Sequence, residues 1–245
     1  MKLTDDIELV EGLPVAYIRS LGTLAVSDLH LGYEGAMANK GTFIPKVNLR
    51  HILETLGKAL DEKKAKRIMI TGDIKNTFSD VITDELNELY DLADFLKERD
   101  VELALVKTKH DNFVERYSER MGLKVYRDQA ELKEYLFFHG DEEPAVASGT
   151  RMLIMGHEHP AIGITGSSGK RERLRCFLYG KFKGRPLLVM PAMGYFSSGT
   201  EVNAIPESEL LSPVLRHAGI DGMHAIAVGY GSTLDFGRVA KLRKV

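Results

Sequence analysis

Thr23-Leu24-Ala25-Val26-Ser27-Asp28-Leu29-His30 is an apolar run that ends in a carboxylate and an imidazole two residues apart. A short, continuous apolar stretch introduced by a Leu21-Gly22 turn reads as a strand buried on both faces. The same sentence is repeated down the chain. Arg67–Ile70 runs into Thr71-Gly72-Asp73, and residues 101–106 run towards Thr108-Lys109-His110-Asp111. Tyr135–Phe138 runs into His139-Gly140, and residues 151–155 run into Gly156-His157-Glu158-His159. Between the early strands the apolar residues change period. Leu49, Ile52, Leu53, Leu56 and Leu60 share one face of a helix over 47–64, as do Ile82, Leu86, Leu89, Ala93 and Leu96 over 82–99.

Outward from these runs, residues 13–20 read as a strand paired with 23–29, and 30–46, rich in Gly and Asn, as a long loop. A short helix is expected over 112–121 with Asn112 as N-cap, then a strand over 123–126. Residues 174–182 and 186–190 form a hairpin turned at Lys183-Gly184-Arg185. Ser212-Pro213 opens a helix ending near Gly219, and 224–230 with 233–239 close the chain as a strand pair. The front half alternates strand and helix, the back half is mostly strand, and no linker divides them, so one mixed α/β domain over 1–245 is expected.

Composition narrows the class. The chain has 245 residues, 44% hydrophobic and 28% charged, and no apolar run long enough to cross a bilayer, so no membrane partner is expected. The acidic start, Met1-Lys2-Leu3-Thr4-Asp5-Asp6, does not read as a signal peptide, and a lone cysteine, Cys176, fits a reducing compartment, so a cytoplasmic protein is expected. A formal net charge of −2 excludes a wholly cationic nucleic-acid binder. The basic residues are clustered all the same: Lys170, Arg171, Arg173, Arg175, Lys181, Lys183 and Arg185 against Glu172, and Arg238, Lys241, Arg243 and Lys244 at the end. Such clusters read as a solvated hairpin face and tail, or as the footprint of a phosphate-rich partner.

A single Asp-x-His after a strand is a weak sign, as is any one histidine. Carboxylates and imidazoles at successive strand ends, with Gly72 allowing a tight exit turn, converge on the chemistry of a divalent-metal hydrolase. His157 and His159 are too close, and too soon before Pro160, for a helical zinc-protease pair.

Taken in order, Asp-x-His, Gly-Asp, His-Asp, His-Gly and Gly-His-x-His resemble the signature of calcineurin-like metallophosphoesterases, over residues 22–195. The phrases SDLHLGYE, GDIKN, KHDN and GHEHPA resemble those of small prokaryotic phosphoesterases related to DNA-repair exonucleases. The resemblance implies a four-layer α/β/β/α sandwich of two facing mixed sheets with the metals at the strand ends. It puts Asp28, His30, Asp73 and His159 on a first metal, with Asp73 bridging to a second held by His139 and His157. It gives His110 the leaving oxygen and lets Asp111 orient the His110 ring. The mixed oxygen and nitrogen donors suit Mn²⁺ first, with Fe, Zn²⁺ or Ni²⁺ as alternatives, one or two ions per chain. The implied activity is hydrolysis of a phosphoester, chiefly a phosphodiester of a nucleotide or nucleic acid, by a metal-activated water.

The sequence departs from that pattern at one place. Where the family has Gly-Asn-His, this chain has Thr108-Lys109-His110, and the missing Asn is a ligand of the second metal. A protonated Lys109 has no lone pair to offer. It can swing away and leave a weak second site, occupy that site as a built-in cation, or mark the loss of hydrolysis. The alternative function is therefore a weak or inactive relative that binds metal, nucleotide or nucleic acid. Lys75 can face phosphate or solvent, residues 141–143 read as a solvated turn, and the loop Pro191-Ala192-Met193-Gly194-Tyr195 as packing or a border of the site.

Overall fold

The computed structural model describes residues 1–78, 82–166 and 169–243. The first sheet consists of β1 (Ile7–Leu9), β2 (Ala16–Ile18), β3 (Thr23–Val26), β4 (Arg67–Ile70), β5 (Glu102–Lys107) and β6 (Leu123–Arg127), side by side in that order. The first three strands are antiparallel, and β3 through β6 are parallel. Two connections between the parallel strands carry the long helices α2 (Asn48–Lys63) and α3 (Thr83–Lys97). The expected loop over 30–46 contains a further helix, α1 (Tyr33–Asn39), while the expected 112–121 helix is a 3₁₀ turn (Val114–Tyr117) followed by a single turn, α4 (Ser118–Met121). Asn112 caps nothing, because Phe113 precedes the 3₁₀ turn in a left-handed conformation with no side-chain cap.

The second sheet is built from β7 (Gln129–Leu132), β8 (Tyr135–Phe138), β9 (Met152–Met155), β10 (Pro160–Thr165), β11 (Arg171–Phe182), β12 (Arg185–Val189), β13 (Thr200–Glu201), β14 (His224–Gly229) and β15 (Ser232–Arg238). Its order is β13-β10-β11-β12-β9-β8-β7, with β14 added along β11 and β15 along β14. Long β11 serves two neighbourhoods, pairing with β10 through Arg171–Arg175 and with β12 and β14 further on. The helix expected after Ser212 is only a 3₁₀ turn, Leu215–His217, and α5 (Val239–Leu242) ends the described chain.

Strand alternation divides the interior into three cores. Leu24, Val26, Ile68, Ile70, Leu103 and Leu105 face α2 and α3. Their neighbours Ala25, Met69, Ala104 and Val106 point the other way and meet Phe137, Ile154, Phe177 and Leu188 of the second sheet. Leu136, Phe138, Leu153, Met155, Leu178 and Val189 face the outer layer of short turns and α5. Because residues on a strand alternate between faces, each sheet can be apolar on both sides. The result is the expected four layers, although the fourth is short helical turns instead of long helices. No helix among the described residues is long and apolar enough to cross a membrane.

Candidate metal centre

The loops leaving β3 and β4 keep pairing after the strands stop. Asp28 N–H donates to Gly72 O, His30 N–H to Asp73 O and Leu31 N–H to Ile74 O, at 3.2, 3.0 and 2.9 Å. Asp28, His30, Asp73, His157 and His159 all have positive φ, between 48° and 71°. A left-handed backbone costs a non-glycine residue about 1–2 kcal/mol, so its recurrence at these residues marks a site whose geometry the surrounding contacts enforce.

These residues meet. Asp28 Oδ1 lies 3.2 Å from His159 Nε2 and 3.9 Å from His139 Nδ1, and Asp73 Oδ1 lies 3.5 Å from His139 Nε2. His30 Nε2 faces His159 Nε2 at 3.3 Å, and His157 Nδ1 faces His139 Nε2 at 2.9 Å. Two triads have ligand atoms within 4.8 Å of one another, Asp28/His30/His159 and Asp28/Asp73/His139. The side chain common to both is Asp28, whereas the resemblance implied Asp73, and His157 belongs to neither triad although it touches His139.

The donor set fits a divalent transition metal. Facing imidazole nitrogens repel through their lone pairs unless a proton or a cation lies between them. His139 Nδ1 is 2.8 Å from Thr71 O, which accepts its proton and leaves Nε2 as a free donor pair. Asp28 and Asp73, both buried, add anionic oxygens to these nitrogens, a mixed set that suits Mn²⁺, Fe or Zn²⁺ better than Ca²⁺.

The charges are strongly perturbed. Burial opposes ionisation of Asp28, but His159, His139 and His30 outweigh it and hold its carboxyl below the usual range. For Asp73 burial wins, reinforced by the charge on Asp28, and its pKa rises despite His139. Burial favours neutral His139 and His159, yet Asp73 and Asp28 beside the one, and Asp28 beside the other, raise both. Burial, with His159 and His139 respectively nearby, pushes His30 and His157 down to about 4.

The Thr108–Asp111 corner departs most from expectation. Lys109 swings out: its Nζ pairs with Glu142 at 2.8 Å, and its side chain is 78% exposed. Glu142 raises the lysine's pKa through that hydrogen bond. Thr108 is the residue that points inward, donating from Oγ1 to Asp73 Oδ1 at 2.8 Å and contacting Asp111 Oδ2 at 3.0 Å. It keeps a negative φ, so replacing glycine with threonine here carries no left-handed strain.

Asp111 does not orient His110. Its carboxylate accepts the backbone N–H groups of Asp73, Ile74 and Thr108 at 3.1, 2.9 and 3.0 Å, tying the two ligand loops together. Burial, with Asp73 close by, pushes its carboxyl up to about 6. His110 Nδ1 is buried without a hydrogen-bond partner among the described residues, and burial lowers its pKa. The Phe78 ring lies against the imidazole, with centroids 3.2 Å apart, and remains 65% exposed on its other side. Lys75 is fully buried, contrary to a solvent-facing role, and its Nζ donates to Thr77 O.

Asn48, a residue the sequence did not single out, clasps the site. It is buried at the first turn of α2, and its amide donates to Leu29 O and His30 O at 3.1 and 3.0 Å. Its Oδ1 accepts Tyr195 N–H at 2.7 Å, while Met193 and Gly194 N–H donate to Ser27 O and Asp28 O. The 191–195 loop therefore borders the site. Glu34 supports the clasp by accepting the N–H groups of Val47 and Asn48. Glu158 points away from its histidine neighbours and anchors their turn by accepting Ser212 N–H at 2.9 Å.

Most of the basic hairpin's side chains are engaged within the molecule, four of them by carboxylates and two by carbonyls, and the segment stays net positive. Arg171 and Arg173 pair with Glu201, Lys183 with Glu143 and Lys170 with Glu172. Arg175 donates to Gly194 O and Tyr195 O, and Arg185 to Thr150 O. At the other end Arg243 pairs with Asp221, and Lys244 lies outside the described residues.

No protein-family model and no curated protein matches the chain. Among solved structures, nuclease MPE of Pseudomonas putida superposes over 93% of this chain and 100% of its own, with a TM-score of 0.63 at 20% identity. The chain has the two-sheet α/β fold of that protein, in the layered architecture that the motif order implied. Yfce, a phosphoesterase from E. coli, aligns over 73% of this chain and 83% of its own at 14% identity and a TM-score of 0.42. A protein of unknown function, AQ665 from Aquifex aeolicus, aligns over 55% and 77% at 20% identity and a TM-score of 0.38.

Proposed function

We propose that this chain is a metal-dependent phosphoesterase acting on phosphodiesters of nucleotides or nucleic acid, with residues 1–245 as one working domain in a reducing, cytoplasmic setting. The observation that carries this reading is the gathering of Asp28, His30, Asp73, His139 and His159, from four loops, into two adjoining triads that share Asp28, with His157 against His139. A divalent ion held there, Mn²⁺ by preference, would supply charge for the phosphoryl oxygens and lower the pKa of a bound water. Asp28, His30 and His159 would form one half of the cradle, and Asp28, Asp73, His139 and His157 the other. His110, beside the cradle with its ring centroid 6.2 Å from that of His30, is assigned the leaving oxygen, to which its N–H would donate. Asp111 holds the loops in register instead of relaying a proton.

The outward course of Lys109 supports a second-metal half that is short of one ligand, and hence one tightly held ion per chain. Hydrolysis of bis-p-nitrophenyl phosphate tests the activity: Mn²⁺ should stimulate turnover, and His110→Ala should remove it. Absence of turnover with every divalent metal tried would leave the alternative, a binding protein with a relict centre.

A further inference from the structure

Beside His30 and His159 lies a cleft of about 360 Å³, whose wall is formed by Tyr33 and Phe196. These two rings are stacked, with centroids 4.8 Å apart and planes within 17°. Tyr195 meets Phe196 edge-on at 5.1 Å and is 52% exposed. The rest of the lining combines hydroxyl and amide groups, including Asn76, Ser197 and Thr200, with the Glu158 carboxylate and apolar Leu211, and contains neither lysine nor arginine. Two arginines lie nearby and both are engaged: Arg175 by the carbonyls of Gly194 and Tyr195, and Arg173 by Glu201 and the carbonyl of Gly199. The cleft therefore offers little Coulombic attraction for phosphate and a ready-made π surface one step from the metal cradle.

We propose that this cleft takes an unpaired nucleobase, stacked on the Tyr33/Phe196 pair, from the nucleotide whose phosphate sits in the metal cradle. The proposal rests on the phosphodiesterase reading and narrows its substrate to single-stranded nucleic acid. A base within a duplex has both faces already stacked, so it must leave its neighbours before it reaches Phe196. A single strand presents free faces at little cost. Base–aromatic stacking is worth about 1–3 kcal/mol per base, or roughly 5- to 150-fold in affinity. With neither lysine nor arginine in the lining, the base-dependent part of the affinity should fall only weakly with added salt, unlike that of phosphate-tracking proteins.

The test is fluorescence anisotropy with labelled oligothymidylate, an abasic strand of equal length and a matched duplex. All strands carry a hydrolysis-resistant phosphorothioate backbone and Mn²⁺ is kept present, so that binding is read apart from turnover with the cradle loaded. Wild-type protein should bind oligothymidylate about tenfold or more tightly than the abasic strand, with the duplex also weaker. Phe196→Leu should erase that preference, and Phe196→Trp, which restores a ring, should keep it. Equal binding of the base-bearing and abasic strands by the wild type would overturn the proposal, as would a preference that survives Phe196→Leu. Loss of the preference in both Phe196 variants would also count against it, since a ring would then not suffice. Failure of the underlying reading looks different: no hydrolysis of bis-p-nitrophenyl phosphate under any metal, whatever the strands show.

Discussion

The two sides of the centre are built differently. Around Asp28 and His30, each ligand loop is held by backbone hydrogen bonds and by the buried amide of Asn48, which ties it to α2 and to the 191–195 loop. Around Lys109 the inward contacts are made by Thr108 and Asp111, and the lysine leaves for Glu142 and solvent. Both sides have tertiary contacts, but at the Thr108–Asp111 turn these are made by Thr108 and Asp111 and leave Lys109 outside. A ligand can be lost from the turn without disturbing its neighbours, while the clasped side tolerates little.

The sharpest way to break that contrast is Gly156→Ala. An added Cβ would collide with Ser27 Oγ and press on Asp28 Oδ2 at 2.7 Å. Neither neighbour can retreat from a buried loop, so the variant should lose about 3 kcal/mol or more, seen as a lower melting temperature together with lost metal uptake. Asn48→Ala should follow at about 2–3 kcal/mol, because Leu29 O, His30 O and Tyr195 N–H are left unpaired in the interior. Denaturant unfolding with and without Mn²⁺ measures it, and the metal-dependent increment should shrink as well. Unchanged metal affinity in Asn48→Ala would show that the clasp serves the fold alone.

Smaller effects probe the periphery. Glu88 accepts Gly32 N–H behind the His30 loop, and burial, aided by Glu34 and Asp84 against Lys46, raises its carboxyl to about 7. The folded state thus holds a proton that the unfolded chain releases near 4.5. That contribution to stability is complete below the lower value and is lost as pH rises through about 7. Glu88→Gln, neutral throughout, should flatten the decline between pH 4.5 and about 7 by about 1–2 kcal/mol. Lys109→Ala should be the mildest change, with a melting temperature indistinguishable from that of the wild type, because its ion pair is exposed on both sides.

The contrast also explains what the sequence could reveal. Continuous apolar runs located β3, β4, β5, β8 and β9, and the residues just beyond them are the ones that converge. Helix α1 stayed hidden because it is short and follows a left-handed Gly32, so a Gly-rich segment read as loop. β10 begins with Pro160 and contains Gly163, both of which weaken a strand signal. Asn48 looks like an ordinary residue at a helix start, since its partners Leu29, His30 and Tyr195 are distant in the chain. Asp111 follows His110 in sequence, but adjacency says nothing about direction, and its oxygens are aimed at amides of the neighbouring loop. The basic hairpin looked available for phosphate because its acidic partners, Glu201 and Glu143, lie on other segments.

Metal content per chain tests the central claim most directly. Purified protein equilibrated with Mn²⁺ should retain one ion per chain. Asp28→Ala should retain none, since both triads need that carboxylate. Lys109→Asn, which restores a side-chain oxygen to the open turn, should raise the count towards two. No retained metal in the wild type, or undiminished metal in Asp28→Ala, would contradict the account.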